Sequence, residues 1–161
     1  MPIAPPTTEL QAQRPPRALA LDVGRVRIGL AATDARGEVA QPHSVLVRRG
    51  TKPDVAAIVR LCQQLEIGVV VVGLPPQQGG VDAGSHGLCT RFAHALASAV
   101  AVPVGLIDEA DTTAQASDEL RLLGLRAARR RRDIDKHAAK VMLDRFLAGE
   151  PVQWLDDQPL R

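Results

Sequence analysis

Apolar positions along the chain fall into short solid runs and helical stripes, and their order predicts an α/β fold. ALALD (18–22) is a short apolar run ending in an acid, with a glycine soon after, as in a buried strand. RIGLAATD (27–34) and EVAQPHSVLV (38–47) predict two more strands, joined by a turn at Ala35, Arg36 and Gly37. Three strands with no room for helices between them predict an antiparallel meander. The pattern then alternates between helix and strand. Residues 52–65 set Val55, Ile58, Val59, Cys62 and Leu65 at helical spacing. VVVVGL (69–74) has no polar face, which predicts a strand buried on both sides. A helix over 82–100 follows, then VGLID (104–108), a second buried strand, then helical patterns at 112–123 and 133–148. Residues 1–16, rich in Pro, Thr and Gln, read as a flexible tail, and 149–161, with Pro151 and Pro159, as an irregular one. One domain over 17–148 is therefore expected, β-β-β-α-β-α-β-α-α, a five-stranded mixed sheet with helices on both faces. A doubly wound dinucleotide-binding fold would not begin with a meander.

Composition narrows the function more than the fold. The 161 residues, 45% hydrophobic and 24% charged, suit one soluble domain with an ordinary core. No apolar run approaches the roughly 20 residues that span a bilayer. MPIAPPTTELQAQRPPR lacks the charged-then-apolar order of a secretory signal. Cys62 and Cys89 offer no disulfide framework. A cytoplasmic protein with no membrane partner is expected. Lysine occurs only at 52, 136 and 140, so arginine carries nearly all the positive charge. That bias suits phosphate binding, and a GC-rich genome also produces it. Phe92, Phe146 and Trp154 are the only aromatic residues, which argues against a single-strand binder built on stacking platforms.

Acids stand where acids are costly. Asp22 ends the first buried strand, and Asp108 and Glu109 end the last. After Asp135, Ala138, Ala139, Met142, Leu143 and Phe146 follow at helical spacing, so Asp135 lies on the stripe that packs against the sheet. In open α/β sheets the carboxyl ends of the strands form the usual site crevice. Carboxylates converging there without His or Cys favour a hard divalent ion such as Mg²⁺ or Mn²⁺. Two such ions are a standard arrangement for cutting phosphodiesters. Each acid alone also has a structural explanation, Asp135 at a helix start and the strand-end acids as turn caps.

LALDVGRVRIGLAATD (19–34), VVVGLPPQQGG (70–80), LIDEADTT (106–113) and DIDKHAAKVML (133–143) closely resemble the four signature blocks of the YqgF/RuvX family, in order and at family-like spacing. The resemblance spans about residues 17–147. It implies a ribonuclease H-like, RuvC-like fold and a metal-dependent nuclease, acting in maturation of the 5′ end of pre-16S ribosomal RNA or as a Holliday junction resolvase. Asp22 matches the first-strand metal ligand of the family's D-x-G-x-x-x-I-G block, Glu109 the acid of its D-E-R block with Asp108 beside it, and Asp135 the acid opening its final helix. Gly24 and Gly29 match the first block's glycines, and Gly73, Leu74 and Pro75 the G-L-P loop. Two positions depart from the pattern: Ala110 stands where the family has arginine, and Gln77 where its loop has asparagine.

The catalytic and metal-binding set expected from this is Asp22, Glu109 and Asp135, with Asp108 as a further candidate ligand. Gly24, Arg25, Arg27, Gly73, Pro75, Gln77 and Thr112 are the candidate nucleic-acid contacts. Arg129, Arg130, Arg131 and Arg132 join them as a mobile basic loop between the last two helices. The bland alternatives are a helix cap for Thr112 and a solvated helix end for the arginines. The expected partner is structured RNA, as pre-rRNA or a pre-ribosomal particle, or branched DNA, bound by a monomer or a homodimer. Ala110 motivates a different class, a non-catalytic RNA-binding assembly factor. Phosphotransfer is a further reading, because the first block also resembles the phosphate loops of actin-like and sugar-kinase ATPases. Those proteins use two lobes, and this chain has residues for one.

Overall fold

The computed structural model of the chain describes residues 15–75, 82–109, 122 and 127–156, with side chains from Gly84 in the second helix and from Asp133 in the third. The elements are β1 (Ala18–Val23), β2 (Arg27–Thr33), β3 (Ala40–Val47), α1 (Thr51–Gln64), β4 (Val69–Leu74), α2 (Asp82–Ala99), β5 (Val104–Asp108), α3 (Ala127–Leu147) and β6 (Gln153–Trp154). They form one six-stranded sheet in the order β3-β2-β1-β4-β5-β6. The meander is antiparallel, β4 and β5 run parallel to β1, and β6 is antiparallel to β5.

Strand alternation sorts the core into two layers. Leu19, Leu21, Val23, Ile28, Leu30, Val70, Val72, Val104 and Leu106 face α1 and α2, where they meet Val55, Ile58, Cys62, Phe92 and Leu96. Ala18, Ala20, Ala31, Val69, Val71 and Ile107 face α3, where they meet Ala139, Met142 and Leu143. Small residues on the second face let α3 lie close to β1 and β2. The runs of valine and alanine carry no polar face because both faces are covered.

The meander is pinned by local chemistry. Gly37 takes a left-handed φ of 73° in the β2–β3 turn, where Asp34 Oδ1 accepts the N–H groups of Glu38 and Val39. Those bonds hold the Asp34 carboxyl below its ordinary pKa. Asp34 is thus the turn acid its position suggests. β3 is an edge strand, and its register jumps from Leu30↔Ser44 to Ala31↔Pro42. His43 is therefore the extra residue of a bulge, and Pro42 sits where a missing N–H is tolerated. The Arg17 guanidinium donates to the carbonyls of Thr33 and Leu65, tying the entry to β1 onto two neighbouring segments.

Two expectations need correction. The sheet has six strands, not five, because the C-terminal segment contributes β6. Gly105 leaves room for Val152 and Trp154, and Phe146 meets the Trp154 ring edge-to-face at 6.3 Å. A two-residue strand is too short to show alternation in a sequence. The arginine run is not a loop, because α3 begins at Ala127 and carries Arg129–Arg132 in helical backbone. Alanine and arginine are among the best helix formers, and nothing in 127–132 breaks a helix. The predicted helix over 112–123 lies outside the described residues apart from Leu122, and residues 1–14 lie outside them too. Among the described residues no helix is long and apolar enough to cross a membrane.

Candidate active site

The alternation that places Leu21 and Val23 under α1 and α2 turns Asp22 toward α3. Its cross-strand partner is Gly29. A Cβ on Gly29 would overlap the backbone carbonyl of Asp135, so the glycine lets the α3 backbone rest directly on β2. Asp135 therefore stands over the Asp22–Gly29 pair, and its charge reaches Asp22. Glu109 arrives from β5: its N–H donates to Leu74 O at 3.1 Å, extending the β4–β5 ladder past Asp108. Gly73 lies beneath its side chain, and a Cβ there would fall 2.5 Å from Glu109 Oε2 and collide with Met142. The two glycines thus mark where a helix backbone and a carboxylate come down onto the sheet.

Asp22 and Glu109 lie close enough for their ionisations to couple, and two carboxyl groups can bond only by sharing a proton. Burial and the nearby Asp135 charge push Asp22 up to about 6, partly offset by the bond from Glu109. Burial, the Asp22 charge, the bond to Asp22 and then the Asp108 charge push Glu109 up to about 8. Near neutral pH the pair therefore holds about one proton between its two carboxyls. Asp135 is engaged differently: Arg27 Nε donates to its Oδ2 at 2.7 Å. Among the described residues, no three His, Cys, Asp or Glu side chains converge closely enough to hold a metal as they stand.

The remaining predicted residues divide by position. Gly24 makes the tight β1–β2 turn, its N–H donating to Arg27 O at 2.8 Å. Arg25 reaches over Gly84 at the start of α2, and Arg27 lies on the α3 face beside Asp135. Asp108 alternates to the α2 side of the sheet. There it lines a cavity of about 430 Å³ with Leu74, Pro75, His86, Leu106 and Gln153. Gln77 and Thr112 lie outside the described residues, as do the side chains of Arg129, Arg130, Arg131 and Arg132. Cys89 does not join His86 in a metal pair. It is buried, its Sγ donates to Val23 O, and burial pushes its thiol up to about 12.

Sequence reasoning missed a second ion pair, and this one is buried. Arg48 Nε donates to Asp54 Oδ2 at 3.0 Å, with side chains 10% and 2% exposed. The same guanidinium reaches Gly24 O at 3.3 Å and lies over the Phe92 ring. Asp54 also accepts the N–H groups of Arg49 and Gly50. The pair ties the start of α1 to the turn that follows Asp22. Its one sequence signal is an acid at 54 sharing the buried stripe of Val55, Ile58 and Cys62.

This sheet order, a meander followed by parallel strands with helices on both faces, defines a RuvC-like fold. The chain superimposes on Thermus thermophilus RuvC in complex with a Holliday junction substrate, with TM-score 0.56 and 18% identity over 88% of this chain and 100% of that one. It also superimposes on a fowlpox virus resolvase with TM-score 0.51 and 11% identity, over 82% and 97% of the two chains. At such identities the likeness establishes the fold. Residues 16–149 match the RuvX family, described as Holliday junction resolvase, and the chain belongs to that family. A relative from Anaeromyxobacter sp. (strain Fw109-5) is 41% identical over 133 residues, 83% of this chain and 97% of its own. One from Chloroflexus aurantiacus (strain ATCC 29366 / DSM 635 / J-10-fl) is 40% identical over 129 residues, 80% and 84% of the two chains. Both bear the name "Putative pre-16S rRNA nuclease".

Proposed function

We propose that the protein is a divalent-metal-dependent nuclease that matures the 5′ end of pre-16S ribosomal RNA in the cytoplasm. The observation carrying this reading is the convergence of Asp22 and Glu109 from the ends of β1 and β5, with Asp135 seated over Asp22 on Gly29. Such a pair is costly to build into a fold, and a bound cation would replace its proton. An all-oxygen donor set fits Mg²⁺ or Mn²⁺, with Asp22 and Glu109 as ligands and Asp135 as the third. When bound there, the metal supplies an activated water and stabilises the leaving oxygen.

The protein's own groups do the rest. Glu109 gives up its shared proton on loading, which leaves carboxylates on both sides of the β1–β4–β5 crevice. Gly24 keeps the β1–β2 turn tight beside the crevice, where a phosphate backbone would approach. Arg25 and Arg27 offer guanidinium forks to phosphates flanking the cut. The arginines at 129–132 bring four positive charges to the helix that carries Asp135. The names of the relatives support a ribosomal RNA precursor as substrate, and the family description and fold keep a four-way DNA junction as the second reading.

The test is cleavage of three end-labelled substrates, a pre-16S flank, single-stranded DNA and a four-way junction, by wild type and Asp22→Asn. Each runs with Mg²⁺, Mn²⁺ or EDTA. Cutting of the RNA flank that requires metal and disappears in Asp22→Asn supports the proposal. Preference for the junction transfers the assignment to the second reading. Binding without cleavage under every metal condition overturns both and leaves an RNA-binding assembly factor.

A further inference from the structure

Arg27 is placed to do more than touch substrate. Its guanidinium occupies Asp135 through a 2.7 Å bond, and the two side chains are 32% and 25% exposed. The pair therefore sits at the mouth of the crevice, where a nucleic-acid phosphate could reach the guanidinium from solvent. Among the described residues no three ligating side chains converge, and Arg27 holds one of the two Asp135 oxygens, Oδ2, so turning that carboxylate fully toward Asp22 and Glu109 competes with the Arg27 bond. The Asp135 backbone is seated on Gly29, the cross-strand partner of Asp22, which fixes the point from which its side chain turns.

We propose that Arg27 is a positioning residue that partitions between Asp135 and a substrate phosphodiester, so that capture of a phosphate by Arg27 releases Asp135 to complete the metal site. The inference rests on the reading of Asp22, Glu109 and Asp135 as metal ligands. Arg27 holds Asp135 through Nε, and a phosphate offers the guanidinium a bidentate, more highly charged target that competes with that bond. Metal and nucleic acid then bind cooperatively, each tightening the other by the same factor, as linkage requires. The device would favour assembly of the complete metal site when substrate is present.

The test measures Mn²⁺ affinity by the electron paramagnetic resonance of free Mn²⁺, on full-length protein without nucleic acid. The variants are Arg27→Gln, Asp135→Asn and the double variant, with Arg27→Lys retaining charge and thermal melts checking folding. Arg27→Gln is expected to bind Mn²⁺ about 3- to 10-fold more tightly than wild type, the strength of a half-exposed charge-assisted bond. In the Asp135→Asn background the same substitution is expected to change little, because the partner it frees is gone. A second arm measures binding of a phosphorothioate-protected RNA. Arg27→Gln is expected to weaken it several-fold with Mn²⁺ and much less in EDTA, where Arg27 is committed to Asp135. Equal tightening with and without Asp135 would reveal a general charge effect and overturn the partition. No tightening would overturn it too, while Mn²⁺ binding lost in Asp22→Asn would leave the nuclease reading standing. Wild-type protein whose Mn²⁺ binding ignores Asp22→Asn would sink both.

Discussion

Replacing Glu109 by glutamine tests the electrostatics of the crevice without touching its shape. In metal-free protein, Asp22 is pushed up to about 6 and Glu109 to about 8, against ordinary values of 3.8 and 4.5. Both are raised acids, so the folded state binds protons that the unfolded state has released. Stability is then highest below the unfolded values and falls as pH rises through the folded ones. Between pH 6 and pH 8 the wild type holds about one extra proton when folded, which at 1.36 kcal/mol per unit costs about 3 kcal/mol across that window. Glutamine resembles the protonated acid: it is neutral, has nearly the same shape and can still donate to Asp22. The Asp22 environment therefore hardly changes, while the Glu109 ionisation is gone.

Urea unfolding in EDTA at pH 5.5 and pH 8 reads this directly. Relative to wild type, Glu109→Gln should gain about 3 kcal/mol of stability between the lower and the higher pH. In a thermal melt that corresponds to roughly 6–12 °C for a chain of this size. Asp34 and the two cysteines do not interfere, because Asp34 is lowered and the thiols are raised to about 11 and 12, all outside the window. A stability difference that is the same at both pH values would refute the shared proton, as would a variant that loses stability relative to wild type between them.

Three other outcomes follow from the same geometry. Mn²⁺ affinity should rise by up to about tenfold per pH unit between 6 and 8, because loading displaces the Glu109 proton; a flat profile by Mn²⁺ resonance would contradict this. Gly29→Ala should cost about 3 kcal/mol or more in urea unfolding, because the Asp135 carbonyl it would strike is backbone and cannot step aside; a loss below 1 kcal/mol would mean α3 is not seated on β2. Asp54→Asn should cost about 3 kcal/mol by leaving the Arg48 charge buried without its partner, and a near-neutral result would show that water reaches the pair.

Much of this was legible in the sequence because it depends on periodicity. VVVVGL and VGLID gave β4 and β5 to the residue, and the stripe from Asp135 to Phe146 put that acid on the sheet side of its helix. Alternation also decides a question left open by the adjacent acids at 108 and 109. Val104 and Leu106 face α2, so Asp108 does too, and only Glu109, beyond the strand, turns across Gly73 to Asp22. What periodicity cannot carry is a pairing between distant residues. Arg27 and Asp135 are 108 positions apart, and no local pattern marks the guanidinium as that carboxylate's partner. The start of α3 was hidden for a different reason. A run of arginines is equally at home in a loop and in the first turns of a helix, and helix propensity rather than charge decides between them.

The crevice owes its shape to backbone contact more than to attraction between its acids, since the Asp135 charge opposes that of Asp22. At Gly29 the sheet admits a helix backbone, and at Gly73 it admits a carboxylate and a methionine, so the fold holds like charges close whether or not a cation is present. Position and charge are thereby decoupled. Met142 and Leu143, fully buried against β1 and β4, anchor α3 a short way beyond Asp135. The carboxylate can therefore exchange Arg27 for another partner without unseating the helix. If the ion pair with Arg27 instead positioned α3, Arg27→Gln would loosen the helix as well as free the acid. Hydrogen exchange separates the two cases: amides of 138–143 should keep wild-type protection in Arg27→Gln and lose it in Gly29→Ala.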